Sequence, residues 1–330
     1  MARPFPKRLL VFVLLGSMTL PVFSVKATTY TSTQTITGAN GLVIDGDTFS
    51  ASSGQCLRIY SSTNVTIRNS TFQNCTAGFA LLVNGSSNVT IRNNTFLDSF
   101  AWISAQVTTG GIVITKNTFS NQMLTGGSTA GGIQFNQVAG AGNEISYNTI
   151  TNNVTSVTED NISLYRSNGM PASPIIVKHN CVTGVTSNPS GSGINIGDDG
   201  GSWVVVDSNF VKDAGAGGIG VSAGTNMVVM NNLIWQTGRP GVNGSLVIKN
   251  FYSPTRVCDQ IDTLSNRIDY TNALGNKVDG WYGTIWNPTN CTNVTNFSTN
   301  NFNDTLSGTT CATVLGDIIA PAAPMGLAMQ

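Results

Sequence analysis

The segment Asn64-Val-Thr-Ile-Arg-Asn69 returns as Asn88-Val-Thr-Ile-Arg-Asn93, 24 residues later. A repeat of that period leaves few folds open. A unit so short cannot bury its own apolar face and must stack on copies of itself. The wider template is an aliphatic residue, two residues, a small polar residue, one residue, then an apolar one. It is met by Ile44…Asp47…Phe49, Ile67…Ser70…Phe72, Ile91…Asn94…Phe96 and Ile114…Asn117…Phe119. Ile145…Asn148…Ile150, Val177…Asn180…Val182, Val206…Asn209…Val211 and Val229…Asn232…Ile234 follow, with Thr263…Asn266…Ile268 as a weaker copy. The polar position advances by 23, 24, 23, 31, 32, 29, 23 and 34 residues.

Each copy opens on an alternating strand such as Val89-Thr90-Ile91, and a second strand follows later in the unit. These second strands read Ala80–Val83, Gly132–Phe135, Asn161–Leu164, Gly193–Ile196, Gly218–Val221 and Ser245–Ile248. Stacked in parallel, like residues fall about 4.8 Å apart. The polar column Asp47 to Asn232 is then expected to form a ladder at one turn. Asn is expected there because it tolerates left-handed backbone and can bond to the rungs above and below.

Composition agrees with strands and turns. Charged residues are 10% of the chain, with 16 basic and 16 acidic, while Gly and Asn occur 36 times each. A disordered charged tail, a basic nucleic-acid binder and a helical bundle are all excluded by those values. Blades of about 40 residues, as in a propeller, do not match the period. An ice-binding solenoid needs outward threonine ranks. Thr66 and Thr90 begin one, and it lapses.

The repeated V-T-I-R-N-[NS]-T-F unit resembles the right-handed parallel β-helix proteins of the pectin-lyase type, over about residues 40–270. The resemblance implies an all-β fold, a single-stranded right-handed parallel β-helix (solenoid) of about nine coils and roughly 40 Å. It matches no specific enzyme family. It also implies a substrate cleft along the second strand and the loop after it.

The chain ends have other signatures. Arg3, Lys7 and Arg8 precede the apolar run Leu9–Leu15, and Val25-Lys26-Ala27 offers a cleavage site. Residues 1–27 therefore read as a signal peptide, and the protein as secreted, periplasmic or extracellular. The apolar run is too short to span a bilayer. Without residues 1–27 the net charge is 12 − 16 = −4. Export makes Cys56, Cys75, Cys181, Cys258, Cys291 and Cys311 disulfide candidates. Cys56 with Cys75, and two of the last three together, are plausible pairs, though sequence leaves the connectivity open. Residues 28–270 are assigned to the β-helix and 271–315 to a disulfide-pinned C-terminal cap, containing Trp281 and Trp286. Residues 316–330 are a linker or tail. Sequons such as those at Asn64, Asn69, Asn88 and Asn293 follow from the Asn/Thr composition.

The spacings of 29 to 32 residues mark the middle coils, where longer loops flank the second strand between Gln122 and Ser202. Alternation projects Gln134 and Asn136, Ser163 and Tyr165, Asn195 and Gly197, Gly220 and Ser222, and Val247 and Lys249 outward. Arg166, Asp198 and Asp199 fall just past their strands. Candidate catalytic residues are thus Tyr165, Arg166, Asp198 and Asp199. Asn136, Asn195 and Lys249 are candidate substrate contacts. Asp198 and Asp199 could together hold calcium, the one cofactor considered.

Each candidate has a plainer reading beside it. Gly197-Asp198-Asp199-Gly200-Gly201 reads first as an Asp-rich turn. Its likeness to the G-D-D of polygalacturonases fails in placement, and that family's G-H-G is absent. Arg166 reads as a surface ion-pair residue, Tyr165 as a groove aromatic and Lys249 as structural. His179, the only histidine, is expected to face solvent, Arg68 and Arg92 to be solvated neighbours, and Asp45 and Asp47 to be turn residues.

The leading expectation is a secreted polysaccharide-active protein cleaving an acidic glycan, by β-elimination or hydrolysis. The alternative is a non-catalytic secreted glycan-binding, adhesive or surface β-helix protein. Either way the partner is a polysaccharide, with no nucleic acid and no membrane.

Overall fold

The computed structural model describes residues 27–123, 131–153, 155–156, 158–184, 191–237, 244–272, 274–277 and 290–314. The signal segment up to residue 26, both Trp281 and Trp286, and the tail from 315 onward lie outside the described residues. Nearly all described regular structure is parallel strand, arranged as three faces that recur once per coil.

Face one holds the Val-Thr-Ile strands, with Val65, Thr66 and Ile67 in register with Val89, Thr90 and Ile91. Face two holds the short strands after the ladder, and is a sheet of ten strands. Face three holds the second strands, Leu57–Tyr60, Phe79–Asn84, Ala101–Gln106, Ile133–Asn136, Ile162–Asn168 and onward to Leu246–Ile248. Faces one and three join into one hydrogen-bonded sheet because the strand Ser192–Asp207 runs through both without a break.

The core follows from alternation. On face two Phe49, Phe72, Phe96 and Phe119 point inward and stack with centroids 4.8, 4.7 and 4.8 Å apart. That offset stacking adds to apolar burial, which is complete or nearly so for all four rings. Tyr30 extends the stack toward the first coil at 5.0 Å.

The polar ladder forms as expected and runs further. Asn94, Asn117, Asn148, Asn180, Asn209, Asn232 and Asn266 are buried, and each backbone N–H donates to the Oδ1 of the next ladder Asn. Each Asn Nδ2 also caps a carbonyl of the coil before, as Asn148 does to Ile114 at 2.9 Å. The tenth rung is Asn300, which accepts from Asn266 N at 3.0 Å. The strand Thr292–Thr295 likewise pairs in parallel with Cys258–Leu264. The stacking therefore continues past residue 270 into the segment assigned to the cap.

One detail of the ladder differs from the expected one. The left-handed residue is not the ladder Asn but the one before it: Asn69, Asn93, Lys116, Tyr147, His179, Ser208, Asn231 and Ser265 have φ between 51° and 56°. The turn therefore twists one residue earlier, and the ladder amide is left free to bond in both directions. His179 is half-buried against Tyr147, with ring centroids 4.9 Å apart, rather than facing solvent freely. Arg68 is not merely solvated; it pairs with Asp45 at 2.7 Å.

All six cysteines are paired, as Cys56–Cys75, Cys258–Cys291 and Cys181–Cys311. The last ties the C-terminal segment to face two at the coil of Asn180, four coils before that of Asn300. On the way, Leu306 is buried and its N–H donates to Asp269 at 2.8 Å, and Arg267 pairs with Asp304 at 2.5 Å. The outward threonine rank that lapses on face one is found on face two, where Thr29, Thr48, Thr71, Thr95, Thr118 and Thr149 are in register.

Candidate functional site

Face three carries the site. Its register places Asn136 beside Tyr165 and Tyr165 beside Asp198, with Lys249 further along the same face. The projected neighbour of Tyr165 was Gly197. This pair of strands has two register shifts, each adding one residue to Ser192–Asp207, and the first moves Asp198 into that place. Gly197 makes the first shift possible. Its φ is +67°, and a Cβ there would sit 1.9 Å from the Ala223 carbonyl oxygen. Asp199 then takes a left-handed φ of 53°, so the two carboxylates leave the strand in different directions. Gly197–Gly201 is therefore a bulged stretch inside a continuous strand, not a turn after one.

Asp199 sits between two guanidinium groups. Arg256 Nε donates to Oδ1 at 2.6 Å and Arg256 Nη2 to Oδ2 at 3.2 Å. Arg166 Nε donates to Oδ2 at 2.5 Å, and the Tyr165 hydroxyl donates to the same oxygen at 3.2 Å. The Arg256 hydrogen bonds, with those of Arg166, pull the Asp199 carboxyl down to about 2. Arg166 also lies over the Tyr165 ring, 5.0 Å from its centroid. Both Asp199 oxygens are committed to cations. The Asp198–Asp199 pair, the candidate calcium holder, has its carboxylates engaged by Tyr252, Arg166 and Arg256, and among the described residues no cluster of three or more His, Cys, Asp or Glu could hold a metal.

Asp198 has a different environment. Burial raises its carboxyl, a hydrogen bond from the Tyr252 hydroxyl opposes that rise, and the Asp199 charge adds to it. Tyr252 in turn is held well above the usual phenol value, by burial first and by the acceptor Asp198 second. One strand thus carries two adjacent acids pushed in opposite directions.

Tyr252 and Arg256 come from a loop that alternation along the strands could not project. Residues 250–257 fold on themselves: Asn250 Oδ1 accepts from Tyr252 N at 3.0 Å, and Asn250 Nδ2 donates to Arg256 O at 2.7 Å. The Tyr252 carbonyl accepts from Thr255 N at 2.8 Å and Arg256 N at 3.1 Å. The only sequence signal was that Tyr252-Ser-Pro-Thr-Arg256 follows the last projected rung at Lys249.

A third acid was missed as well. Asp160 is buried at the start of its face-three rung, and that burial lifts its carboxyl to about 8. It accepts from Ser192 N at 2.8 Å and from Asn195 Nδ2 at 3.1 Å, while Asn195 Oδ1 accepts from Ser222 at 2.7 Å. The Asn195 amide is therefore engaged inside this chain of bonds across three rungs. Asn136 accepts from Gln137 at 3.2 Å, and Lys249 lies 4.8 Å over the Phe251 ring.

Residues 30–169 match the family model described as a right handed beta helix region. Together with the three parallel faces, that match decides the architecture. The chain is a right-handed parallel β-helix. The match to this β-helix model stops short of Asp198 and Tyr252 and indicates no specific enzyme family. No curated protein matches the β-helix chain. Among the described residues no helix is long and apolar enough to cross a membrane.

Proposed function

We propose that this β-helix cleaves an acidic polysaccharide by β-elimination, with Asp198 as base and Tyr252 as acid. The observation that carries the reading is the sorting of the two acids. Hydrolysis needs two carboxyl groups free to work on one glycosidic bond. Asp199 is committed to Arg166 and Arg256, which leaves Asp198 with a tyrosine hydroxyl as its partner.

That pair suits elimination from a uronate. Asp198 takes the C5 proton, the C5–H electrons form the C4–C5 double bond, and the C4–O4 bond breaks. The Tyr252 hydroxyl protonates O4 as it leaves. Tyr252 then recovers a proton from Asp198 through the hydrogen bond they share, so the pair returns to its starting state. A phenol held above its usual value stays protonated until the leaving oxygen needs it. Arg166 and Arg256 retain N–H groups beyond those given to Asp199, and their charge favours the substrate carboxylate and the enolate that develops from it. Export of the protein to where such polymers occur is part of the same reading, supported by the leader-like residues 1–27 and three disulfides.

The test is a screen of uronate-containing polysaccharides for unsaturated products by ultraviolet absorbance, beside an assay for reducing ends. Unsaturated ends from the wild type, absent in Asp198→Asn, support elimination. New reducing ends without unsaturation would mean hydrolysis. No product on any acidic glycan returns the chain to a binding role.

A further inference from the structure

We infer that the peptide bond between Ala27 and Thr28 is a processing site, and that the ammonium released there pairs with Asp47 to close the head of the polar ladder. The inference stands apart from the glycan reading. It goes beyond the leader expected over residues 1–27, because it gives the cut a consequence in the folded chain.

Three observations carry it. First, Thr28 is itself a ladder position, one rung ahead of Asp47. Thr29 and Tyr30 lie in register with Thr48 and Phe49, which sets Thr28 beside Asp47 just as Asp47 is set beside Ser70. The bonds agree. Thr28 N donates to Asp47 Oδ1 at 2.9 Å, Asp47 N to Ser70 Oγ at 3.2 Å and Ser70 N to Asn94 Oδ1 at 2.9 Å.

Second, Asp47 is the one charged rung. Every later rung is a neutral serine or asparagine. From Asn94 onward the side-chain amide also donates to a carbonyl of the coil before, as Asn94 does to Ile67 at 3.0 Å. A carboxylate can only accept, and the group facing it here is the Thr28 nitrogen. Facing a neutral amide, it gains one hydrogen bond. Facing an ammonium, it gains that bond and an opposite charge. Among the described residues Asp47 has no ion-pair partner, while Asp45 on the same turn is paired with Arg68.

Third, the bond is accessible. Ala27, Thr28 and Thr29 are all exposed. Val25 and Ala27 occupy the two small-residue positions of a leader cleavage pattern.

The step is hydrolysis by a peptidase of the exporting cell. Water adds to the Ala27 carbonyl carbon and the C–N bond breaks. Ala27 leaves as a carboxylate, and Thr28 N, taking both protons of the water, becomes an ammonium. It need not move, since it already faces Asp47. Thr48 N donates to Thr28 O at 2.8 Å and Ser50 N to Tyr30 O at 2.8 Å, so the edge strand Thr29–Tyr30 hangs on these bonds. A fixed ammonium at Thr28 keeps that short strand from fraying.

Two experiments test this. The full chain is exported from a secreting host and its N-terminus sequenced. Thr28 as the first residue supports the processing site, and any other start overturns it. Native-state hydrogen exchange at the Thr48 and Ser50 amides is then compared between a chain beginning at Thr28 and one with two alanines ahead of Thr28. At about pH 7, where an α-amine is charged, exchange is expected to be about fivefold slower in the first. Asp47→Asn keeps an acceptor oxygen at the same place and matches the later rungs, so the ladder is kept. In that variant the two chains are expected to exchange alike. Equal exchange with Asp47 in place, or a difference that survives Asp47→Asn, overturns the pairing.

Discussion

The Tyr252 hydroxyl donates to the Asp198 carboxylate across 54 residues of chain, joining a loop to a bulged strand two rungs away. The neighbouring acid, Asp199, is bound instead to Arg256 of the same loop. One short loop therefore assigns opposite characters to two adjacent aspartates. Asp198 becomes a raised acid beside a phenol, and Asp199 a fixed anion between guanidiniums.

Loss of the phenol should be felt in turnover more than in binding. Tyr252→Phe keeps the ring and removes the proton donor. We expect kcat on the responsive uronate polymer to fall by about 10²–10⁴ with KM little changed. Steady-state kinetics by ultraviolet absorbance reads this directly.

Asp160 should make stability depend on pH. Burial raises its folded value to about 8, well above the usual carboxylate range, so folding favours its neutral form. The stability this contributes is full below the unfolded value and is lost as pH rises toward about 8, at up to about 1.4 kcal/mol per pH unit. Asp160→Asn stays neutral and keeps both acceptor and donor capacity. Denaturant titrations across that window should show a slope in wild type that flattens in the variant.

Asp199 should act in the opposite sense. Its folded value is lowered to about 2, so its contribution is present above the unfolded value and disappears as pH falls through about 2. Asp199→Asn should remove that acid-limb loss. It should also weaken the hold on Arg166 and Arg256, lowering kcat at neutral pH.

The ladder should be costly to interrupt. Asn148→Ala removes the acceptor for Asn117 N and Nδ2 and the donor to Ile114 O and Asn180 Oδ1, all in the interior. Several buried groups lose partners at once, and a loss of about 2–5 kcal/mol in urea unfolding is expected.

Removing the long-range disulfide should free the C-terminal segment from face two. Cys311→Ser should make residues 301–314 a preferred proteolysis site and lower stability by about 2–5 kcal/mol. Limited proteolysis with mass analysis would locate the cut.

Much of this molecule is legible along the chain because a solenoid repeats its local rules. Ile67 and Phe72 predict the places of Ile91 and Phe96, and Asn94 predicts Asn117, since each coil lies on the last in register. Tyr165 could be projected onto this face by alternation, with Arg166, Asp198 and Asp199 just past their strands, and the structure brings the four together there. Their roles could not be projected. The partners that set them, Tyr252 and Arg256, lie in a loop outside the repeat, where no periodicity says which way a side chain turns. Asp160 was hidden for another reason: sequence shows an acid but not the burial that lifts it.

The sequence by itself determined the parallel solenoid, its Asn ladder and the face where charge gathers, because these depend on contacts between like positions one period apart. Only the tertiary structure decided which aspartate is a raised acid and which a bound anion. That choice rests on Gly197 admitting an extra residue into the strand and on a distant loop reaching back across two rungs. Both depend on backbone path and burial, neither of which is periodic.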